Sequence, residues 1–257
     1  MAQPYLSVII PAYNESKRIP LTLIDIDKRL SREAYSYEIL VVNDGSKDNT
    51  AEVVRGMEKM VRNLKLVDNA ENKGKGGVVR QGMLTAKGQY RLFTDADNAT
   101  SIDHFNAMTP HFKAGYDVVI GSRAVKGSTM DPGQPLYRQI PGKMSNLLIQ
   151  LVVLPGLWDT QCGFKAFTAE AAEKVFQTSR VTGWGFDIEI LALAMRMGYR
   201  IKEIPVHWVN DIHSIVGASA YLKTLIELCK IRWWLWTNKY QVSSIRYQKP
   251  YSKNHDT

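Results

Sequence analysis

Cysteine and long apolar runs are both scarce in this chain, and each shortage excludes a class of protein. The 257 residues include two cysteines, Cys162 and Cys229, and neither has CxxC spacing or a neighbouring histidine. This argues against a zinc site or a disulfide framework and is typical of a reducing compartment. The most apolar stretch, residues 147–158, is shorter than the ~20 residues that a membrane-spanning helix needs. The N-terminus shows no basic region followed by an apolar core, so we expect neither a signal peptide nor an integral membrane protein.

Basic residues outnumber acidic ones, 33 to 25, which gives a formal net charge of +8. Such a charge predicts anionic partners, and the candidates are nucleic acid, a phosphorylated substrate and an acidic membrane surface. The sequence has neither an RNA-binding aromatic signature nor a recognisable helix-turn-helix, so we expect no nucleic-acid partner. The positions of the basic residues have to decide between the other two.

Strand-like and helix-like segments alternate in the first half of the chain. The predicted strands are Leu6–Pro11, Tyr37–Asn43, Tyr90–Thr94 and Asp117–Ile120, and the predicted helices are Ile19–Leu30, Thr50–Arg62 and Gly77–Ala86. This alternation predicts an α/β fold with a mostly parallel sheet covered by helices on both faces. Residues 123–142 are predicted to form a basic, Gly/Pro-rich loop, followed by mixed helices and a short strand at Ile201–Val206. In such sheets, ligands bind beyond the carboxyl ends of the strands.

Acidic residues stand at two of these strand ends. Asp95 and Asp97 follow the strand Tyr90–Thr94, and their hard oxygen ligands suit Mg²⁺ or Mn²⁺ held between the protein and a diphosphate. A solvated turn is the alternative interpretation. Asp44 follows the second strand, where its carboxylate can accept the N–H of a uracil or guanine base, and a plain turn is an equally good interpretation.

A glycine-rich segment, Gly74-Lys75-Gly76-Gly77, precedes the third predicted helix, and Arg80 lies one turn further on. Glycines let backbone N–H groups approach an anion, and a helix N-terminus adds its dipole. The segment is not a Walker A loop, because no serine or threonine follows the lysine at the required spacing. By itself it indicates an anion site only weakly.

Four motifs occur in a characteristic order: SVIIPAYNE, VVNDGSKDNT, NKGKGGVVRQG and LFTDADNAT. Together they resemble the inverting nucleotide-sugar glycosyltransferases of family two, which have the Rossmann-like GT-A fold. Three later motifs, DTQCGFK, WGFDIE and EIPVHW, are similar to those of the dolichyl-phosphate β-glucosyltransferase and polyprenyl-phosphate glycosyltransferase branch. The resemblance implies a GT-A catalytic domain over residues 1–212. The residue pattern beyond it predicts an amphipathic helix within 213–240 and a flexible tail over 241–257.

The same resemblance implies roles for individual residues. The residues implied to bind the nucleotide are Pro11, Ala12, Tyr13, Glu15, Asp44, Lys75, Arg80, Asp95 and Asp97. Asp97, assisted by Asp95, would hold Mg²⁺ or Mn²⁺. In related mannosyl enzymes, a glutamine two residues after the second aspartate can assist the metal. This chain has Ala99 at that position, so a water molecule would have to replace that ligand.

The predicted basic loop suits an acceptor that carries a phosphate. Arg123, Lys126, Arg138 and Lys143 accompany a single acid, Asp131, and the planar fork of arginine matches phosphate oxygens. We expect Arg123 and Arg138 to act in catalysis by binding the acceptor phosphate, with Ser145 assisting. A solvated basic loop is the alternative.

Asp187 and Asp159 are the candidate catalytic carboxylates. Asp187 lies in WGFDIE, where related enzymes keep an aspartate that faces the acceptor, and Asp159 opens DTQCGFK. Because the second pKa of a phosphate monoester is ~6, the acceptor is already largely ionised, and we expect positioning to matter more than proton abstraction. A structural role such as helix capping stays open for both aspartates.

The C-terminal region carries an apolar helical stripe, formed by Leu222, Leu225, Ile226, Cys229, Trp233 and Trp236. Basic residues surround it, and the segment 222–249 has one acid, Glu227. A basic amphipathic helix with tryptophans is typical of a membrane interface. The alternative is that this stripe packs on the catalytic domain or on a partner subunit.

We therefore expect an inverting hexosyltransferase that moves a sugar, with UDP-glucose as the favoured donor, onto a polyprenyl phosphate at the cytoplasmic face of a membrane. Another donor (GDP-mannose, UDP-GlcNAc or UDP-GalNAc) or a non-lipid acceptor stays open, as does a homo-oligomer or a membrane partner. A sugar nucleotidyltransferase is a remote alternative, because Pro11-Ala-Tyr-Asn-Glu15 stands where those enzymes usually carry a Gly-rich loop.

Overall fold

A seven-stranded sheet lies at the centre of the molecule, in the order β3-β2-β1-β4-β7-β5-β8. The structure is a computed structural model that describes residues 3–133, 136–209 and 218–240, without the side chains of residues 136–141, 143 and 218–222. Strand β7 is antiparallel to its neighbours β4 and β5, and the other pairs in the sheet are parallel. The predicted α/β class with a mostly parallel sheet is confirmed.

The strands and helices of the described residues follow one another along most of the chain. The strands are β1 (Leu6–Ala12), β2 (Tyr37–Asp44), β3 (Leu64–Asn69), β4 (Tyr90–Thr94), β5 (Val118–Ser122), β6 (Thr129–Asp131), β7 (Phe164–Thr168), β8 (Ile201–Pro205) and β9 (His207–Val209). The helices are α1 (Ile19–Leu30), α2 (Thr50–Met57), α3 (Lys75–Thr85), α4 (His104–Lys113), α5 (Leu136–Val152), α6 (Ala169–Thr178), α7 (Phe186–Arg196) and α8 (Ala218–Trp236). Strands β6 and β9 form a separate parallel pair.

The sheet separates two apolar cores, because successive side chains of a strand point to opposite faces. In β1, Ile9 belongs to one core, and Val8 and Ile10 belong to the other. The core on the Ile9 side is covered by α3, α6, α7 and α8, and the opposite core by α1, α2 and α4. All the residues of β1 and β2 are buried, which explains why these strands read as continuous apolar runs.

The prediction of one helix over Thr50–Arg62 is wrong at its C-terminal end. Helix α2 ends at Met57, and Asn63 has a φ of 54°, which turns the backbone out of the helical region just before β3. Strand β3 was not predicted because it is an edge strand with Lys65 and Asp68 exposed. Its apolar residues therefore do not form the continuous run that marks a buried strand.

The predicted loop over residues 123–142 contains more regular structure than expected. Strand β6 lies within it, and α5 begins at Leu136. Strand β7 was also missed, because its second residue, Lys165, interrupts a short apolar segment with a charge. Its burial depends on partners elsewhere in the chain.

Helix α8 confirms that the C-terminal segment is helical, and the described side chains of the predicted stripe lie on its exposed side. Leu228 and Ile231 face the core, whereas Leu225, Trp233 and Trp236 of the stripe are exposed. The side chain of Leu222, the start of the predicted 213–240 segment and the predicted tail 241–257 lie outside the described residues. Within the described part of the chain, each helix is too short or too polar to cross a bilayer.

Candidate active site

The carboxyl ends of β1 and β4 meet at the point where the strand order changes direction. Strand β1 pairs in parallel with β2 on one side and with β4 on the other. Chain connections leave such a crevice open, and ligands of α/β sheets bind there. Asp95 and Asp97 follow β4, and Pro11 and Ala12 end β1, so the fold brings the first and fourth sequence motifs together.

The loops after β1 and β2 are tied to each other by hydrogen bonds. The amide of Asn14 donates to Ser46 Oγ (3.0 Å), and Asn14 Oδ1 accepts from the amide of Lys47 (2.8 Å). The amide of Glu15 donates to Thr50 Oγ1 (2.9 Å), at the start of α2. Pro11 and Ala12 are buried, whereas the ring of Tyr13 is exposed at the mouth of the sheet.

Asp44 is buried at the end of β2 and anchors the loop that precedes α3. Its Oδ1 accepts a hydrogen bond from the amide of Lys73 (2.6 Å), and its backbone carbonyl accepts one from Asn72 Nδ2 (3.1 Å). Burial raises the pKa of Asp44, and the amides of Lys73 and Gly74 offset part of that rise. The carboxylate therefore organises the glycine-rich segment, a role that the sequence analysis did not assign to it.

The glycines of that segment allow two loops to pack closely. Gly74 has a φ of 79°, and a Cβ there would lie 2.4 Å from the carbonyl oxygen of Thr182. The amide of Gly76 donates to the same carbonyl (2.9 Å). These positions need glycine because the N-terminus of α3 lies against the segment before α7, which brings Lys75 and Asp187 into one site.

Asp95 lies between a glycine and a lysine. A Cβ at Gly163 would lie 2.0 Å from Asp95 Oδ2, so a side chain at that position cannot coexist with this carboxylate. The amide of Asp95 donates to the carbonyl of Gly163 (3.2 Å), and Asp95 Oδ1 lies 2.6 Å from Lys75 Nζ. Burial would lower the pKa of Lys75, but the charges of Asp95 and Asp187 outweigh that effect and raise it.

Asp97 turns back onto its own loop, where its Oδ1 accepts a hydrogen bond from the amide of Ala99 (3.0 Å). Burial raises the pKa of Asp97, and the nearby charge of Asp95 raises it further. Two carboxylates in one partly buried place repel each other, and a bound cation would relieve that repulsion.

Asp187 stands in the first turn of α7 and is paired with a lysine that has no exposed surface. Lys165 Nζ lies 2.5 Å from Asp187 Oδ1 and 2.5 Å from the carbonyl oxygen of Cys162, to which it also donates. The ammonium also lies 5.3 Å from the centre of the Phe93 ring. Burial raises the pKa of Asp187, and the charges of Lys165 and Lys75 offset part of that rise. Acidic and basic groups thus alternate from Lys165 through Asp187 and Lys75 to Asp95.

Arg123 and Asp159 form a bidentate pair beside this network. Asp159 Oδ2 accepts from the amide and Nε of Arg123 (2.9 and 2.7 Å), and its Oδ1 accepts from Nη2 (2.9 Å). Glu203 holds Asp159 in turn, by accepting its amide (2.9 Å). Burial favours the neutral acid, but Arg123 outweighs it and lowers the pKa of Asp159. Such a carboxylate is a weak base, so its geometry suits the positioning of Arg123.

Three other predicted site residues, Arg80, Ser145 and Arg138, are not among the contacts described above. Arg80 donates to the carbonyls of Phe176 (2.8 Å) and Gln177 (3.3 Å), which holds α3 against the C-terminal end of α6. Ser145 is half-buried in α5. The side chain of Arg138 lies outside the described residues.

Sequence reasoning missed several residues that support the site. Lys165 and Gly163 lie in the DTQCGFK motif, but a buried lysine and a glycine in contact with a carboxylate have no local signal. Glu189 in WGFDIE accepts from the amides of Arg180 and Val181 (2.9 and 2.8 Å) and from the hydroxyl of Tyr240 (2.8 Å). It therefore ties the segment before α7 to the end of α8.

Comparisons with known proteins identify relatives of this chain. Residues 7–176 match the family model described as glycosyl transferase family 2. The dolichyl-phosphate beta-glucosyltransferase of Dictyostelium discoideum is 39% identical over 241 residues, which cover 89% of this chain and 74% of that protein. The enzyme of the same name from Homo sapiens is 36% identical, and the match covers 80% of this chain and 67% of that protein. The one from Saccharomyces cerevisiae is 35% identical, and the match covers 85% of this chain and 70% of that protein.

Solved structures show the same fold at lower identity. Glucosyl-3-phosphoglycerate synthase from Mycobacterium tuberculosis, in complex with Mn²⁺, UDP-glucose and phosphoglyceric acid, superposes with a TM-score of 0.64 at 18% identity. The match covers 89% of this chain and 80% of that one. At this identity the likeness concerns the arrangement of strands and helices.

Proposed function

Because this chain belongs to glycosyl transferase family 2, we propose that it transfers glucose from UDP-glucose to a polyprenyl phosphate of the dolichyl type, with inversion at the anomeric carbon. A bond forms between that carbon and an oxygen of the acceptor phosphate, while the bond to the diphosphate breaks and UDP leaves. The observation that carries the proposal is the set of alternating charges around Asp95, Lys75, Asp187 and Lys165 at the carboxyl ends of the strands. The names of the relatives supply the acceptor and the sugar.

A divalent cation, Mg²⁺ or Mn²⁺, fits the pair Asp95 and Asp97. The oxygens of the pair are hard ligands, and the raised pKa of Asp97 reflects burial and the neighbouring negative charge, which a cation would offset. Among the residues that the structure describes, groups of three or more potential ligand side chains are not found, so water and the diphosphate would complete the coordination. When bound, such an ion neutralises charge that develops on the leaving nucleotide.

Lys75 and Arg123 would bind the two phosphorylated substrates. Lys75 extends from the N-terminus of α3 to Asp95, where its ammonium also suits the donor diphosphate. Arg123 uses Nε and Nη2 to bind Asp159, and a guanidinium has five N–H donors in all. The remaining donors would bind the acceptor phosphate, and Arg138 and Ser145 stay predicted partners in that role.

Asp187 would orient the acceptor at the reacting carbon. Its carboxylate is fixed by Lys165 at 2.5 Å, and a group held so firmly suits positioning. The bidentate bonds of Asp159 to Arg123 favour Asp187 over Asp159 as the residue nearest the reaction.

We place the enzyme at a membrane surface because the proposed acceptor is a lipid. We place it on the cytoplasmic face because the exposed basic residues of α8 suit the anionic lipids of that leaflet.

The decisive experiment supplies the purified protein with Mn²⁺, a short-chain polyprenyl phosphate and one nucleotide sugar at a time. We expect a lipid phosphosugar from UDP-glucose, identified by mass spectrometry, and β stereochemistry by NMR. Asp97→Asn should lower kcat/KM by about 10²-fold or more, whereas Asp103→Asn, a surface variant on the loop before α4, should retain activity. Full activity in the presence of a chelator would remove the metal from the proposal, and a lack of any lipid product would overturn it.

A further inference from the structure

Helix α8 has two apolar faces, and the core covers one of them. Leu228 and Ile231 pack into the core on the side of α7. Leu225, Ile226, Trp233 and Trp236 belong to the other face and are exposed, Trp236 to 77%. A surface helix of a globular protein usually presents polar residues to solvent, so this second face requires a partner or an apolar environment.

Helix α5 extends the same kind of surface. It contacts α8, and Ile149 anchors it in the core. Met144, Leu147, Leu148 and Leu151 are exposed, Leu151 to 77%. We define the α5–α8 face as these four residues of α5 together with Leu225, Ile226, Trp233 and Trp236 of α8. Large exposed apolar patches of this kind mark interaction surfaces.

The charges on α8 select the kind of partner. Lys223, Lys230, Arg232 and Lys239 are exposed on or next to this helix. The ammonium of Lys239 lies 4.2 Å from the centre of the Trp233 ring, so cations border the apolar surface directly. The sequence of α5 contains no acidic residue. Exposed leucines and tryptophans bordered by lysines fit an interface of acyl chains and anionic headgroups.

Glu227, the acidic residue of α8, contacts the segment before α7, and this contact places the helix beside the site. Glu227 Oε2 accepts a hydrogen bond from the amide of Gly185 (2.6 Å), two residues before Asp187. A lipid phosphate at the surface of a bilayer that α8 touches would therefore be near the loop that leads into Asp187.

We propose that the α5–α8 face docks the protein on an anionic bilayer. The inference rests on the proposed function for its physiological meaning, because a lipid acceptor requires the enzyme at the membrane. It goes beyond that function by assigning the contact to a defined surface that includes α5.

The first test is co-sedimentation of the purified full chain with phosphatidylcholine vesicles, with and without phosphatidylglycerol. We expect Leu151→Gln and Trp236→Gln together to weaken binding by about tenfold or more, since two side chains would lose their burial in the acyl layer. Leu21→Gln, at a leucine of α1 that is similarly exposed, should bind like the unaltered protein. Lys230→Gln should weaken binding by about fivefold on anionic vesicles and leave binding to neutral vesicles unchanged.

The second test needs no substitution, because Cys229 is exposed on the same side of α8 and Cys162 is buried. A water-soluble maleimide should alkylate Cys229 at least about tenfold more slowly when anionic vesicles are in excess, since the docked helix withdraws the thiol from water. An unchanged rate of alkylation under conditions of full vesicle binding would overturn the proposal.

A second copy of the chain is the competing occupant, and light scattering distinguishes it. If the protein is a dimer that Leu151→Gln and Trp236→Gln convert to monomers, while vesicle binding is unaffected, the face is a subunit interface and the proposal fails. If the protein binds vesicles through this face but forms no lipid phosphosugar, the docking stands and the proposed function fails. If the double variant also loses turnover of a short, water-soluble acceptor, the face acts in catalysis, and the proposal of a separate docking surface is overturned.

Discussion

Replacing Lys165 by methionine should be among the most damaging single changes in this protein. The side chain of Lys165 has no exposed surface, and its ammonium contacts Asp187 Oδ1 and the Cys162 carbonyl oxygen, each at 2.5 Å. Methionine has a similar length and fills the same space, but it carries no charge and no donor. The substitution therefore tests the charge of Lys165 and leaves its packing nearly unchanged.

The expected loss of free energy of unfolding follows from the burial of Asp187, the partner of Lys165. Removal of one member of a buried ion pair leaves an uncompensated charge and typically costs ~3–5 kcal/mol, a large part of the ~5–15 kcal/mol that stabilises a typical domain. The charge of Lys75 also lowers the pKa of Asp187 and remains in the variant. We therefore expect a loss near the lower end, about 3 kcal/mol.

Urea unfolding, followed by circular dichroism, measures this loss. The matched control is Lys174→Met, which removes the exposed Lys174–Glu170 pair on α6, and it should leave the midpoint unchanged. Adding Asp187→Asn to Lys165→Met should recover much of the stability, because the unpaired charge is then gone. A free energy of unfolding of Lys165→Met within ~0.5 kcal/mol of that of the unaltered protein would refute this role of Lys165. A further loss of stability on adding Asp187→Asn would refute it as well.

The same variant makes a prediction about pH. Lys165 lowers the pKa of Asp187, which burial raises, so its loss should raise that pKa further. A carboxyl whose pKa is higher in the folded than in the unfolded state contributes less stability as the pH rises from about 4, the unfolded value, through the folded value. The stability deficit of Lys165→Met should therefore be small near pH 4 and grow towards neutrality, and the acidic limb of its kcat/KM profile should move to higher pH. A deficit that is constant with pH would contradict this assignment.

Two further predictions concern small side chains near the site. Gly163→Ala should weaken Mn²⁺ binding, measured by calorimetry, because the new Cβ would lie 2.0 Å from Asp95 Oδ2, whereas Gly56→Ala on α2, with open space around it, should have no effect. Equal affinities in both variants would contradict this. Burial raises the pKa of the Cys162 thiol to about 12, so Ellman's reagent should titrate Cys229 alone in the native protein and both thiols in denaturant; rapid reaction of two native thiols would show that Cys162 is accessible.

The elements that the sequence predicts well are those whose burial follows a regular pattern. Strands β1 and β2 are covered on both faces, and α1 was predicted with its observed bounds, Ile19–Leu30. The resemblance to family two is confirmed, because residues 7–176 match the family model. Strand β3 escaped prediction because two of its six residues, Lys65 and Asp68, are charged and exposed at a sheet edge.

The acidic residues at strand ends were predicted as a group, but their partners were not. The position of Asp95 after a buried strand follows from local pattern, whereas its contact with Lys75 depends on how α3 meets the segment before α7. Such contacts join residues that are far apart in sequence. A spacing rule can find the carboxylates, but only the fold shows which cation each of them faces.

The apolar stripe of α8 shows that a helical pattern can be predicted correctly while its surroundings stay open. Helical periodicity groups Leu225 with Trp233 and Trp236, and in an ordinary amphipathic helix that group would face the core. Leu228 and Ile231 take that place instead, and the helix is apolar on more than one side. Periodicity alone reports which side chains share a face; the cation beside Trp233 and the exposed leucines of α5 are the observations that favour lipid over the core as the surroundings of the proposed docking face.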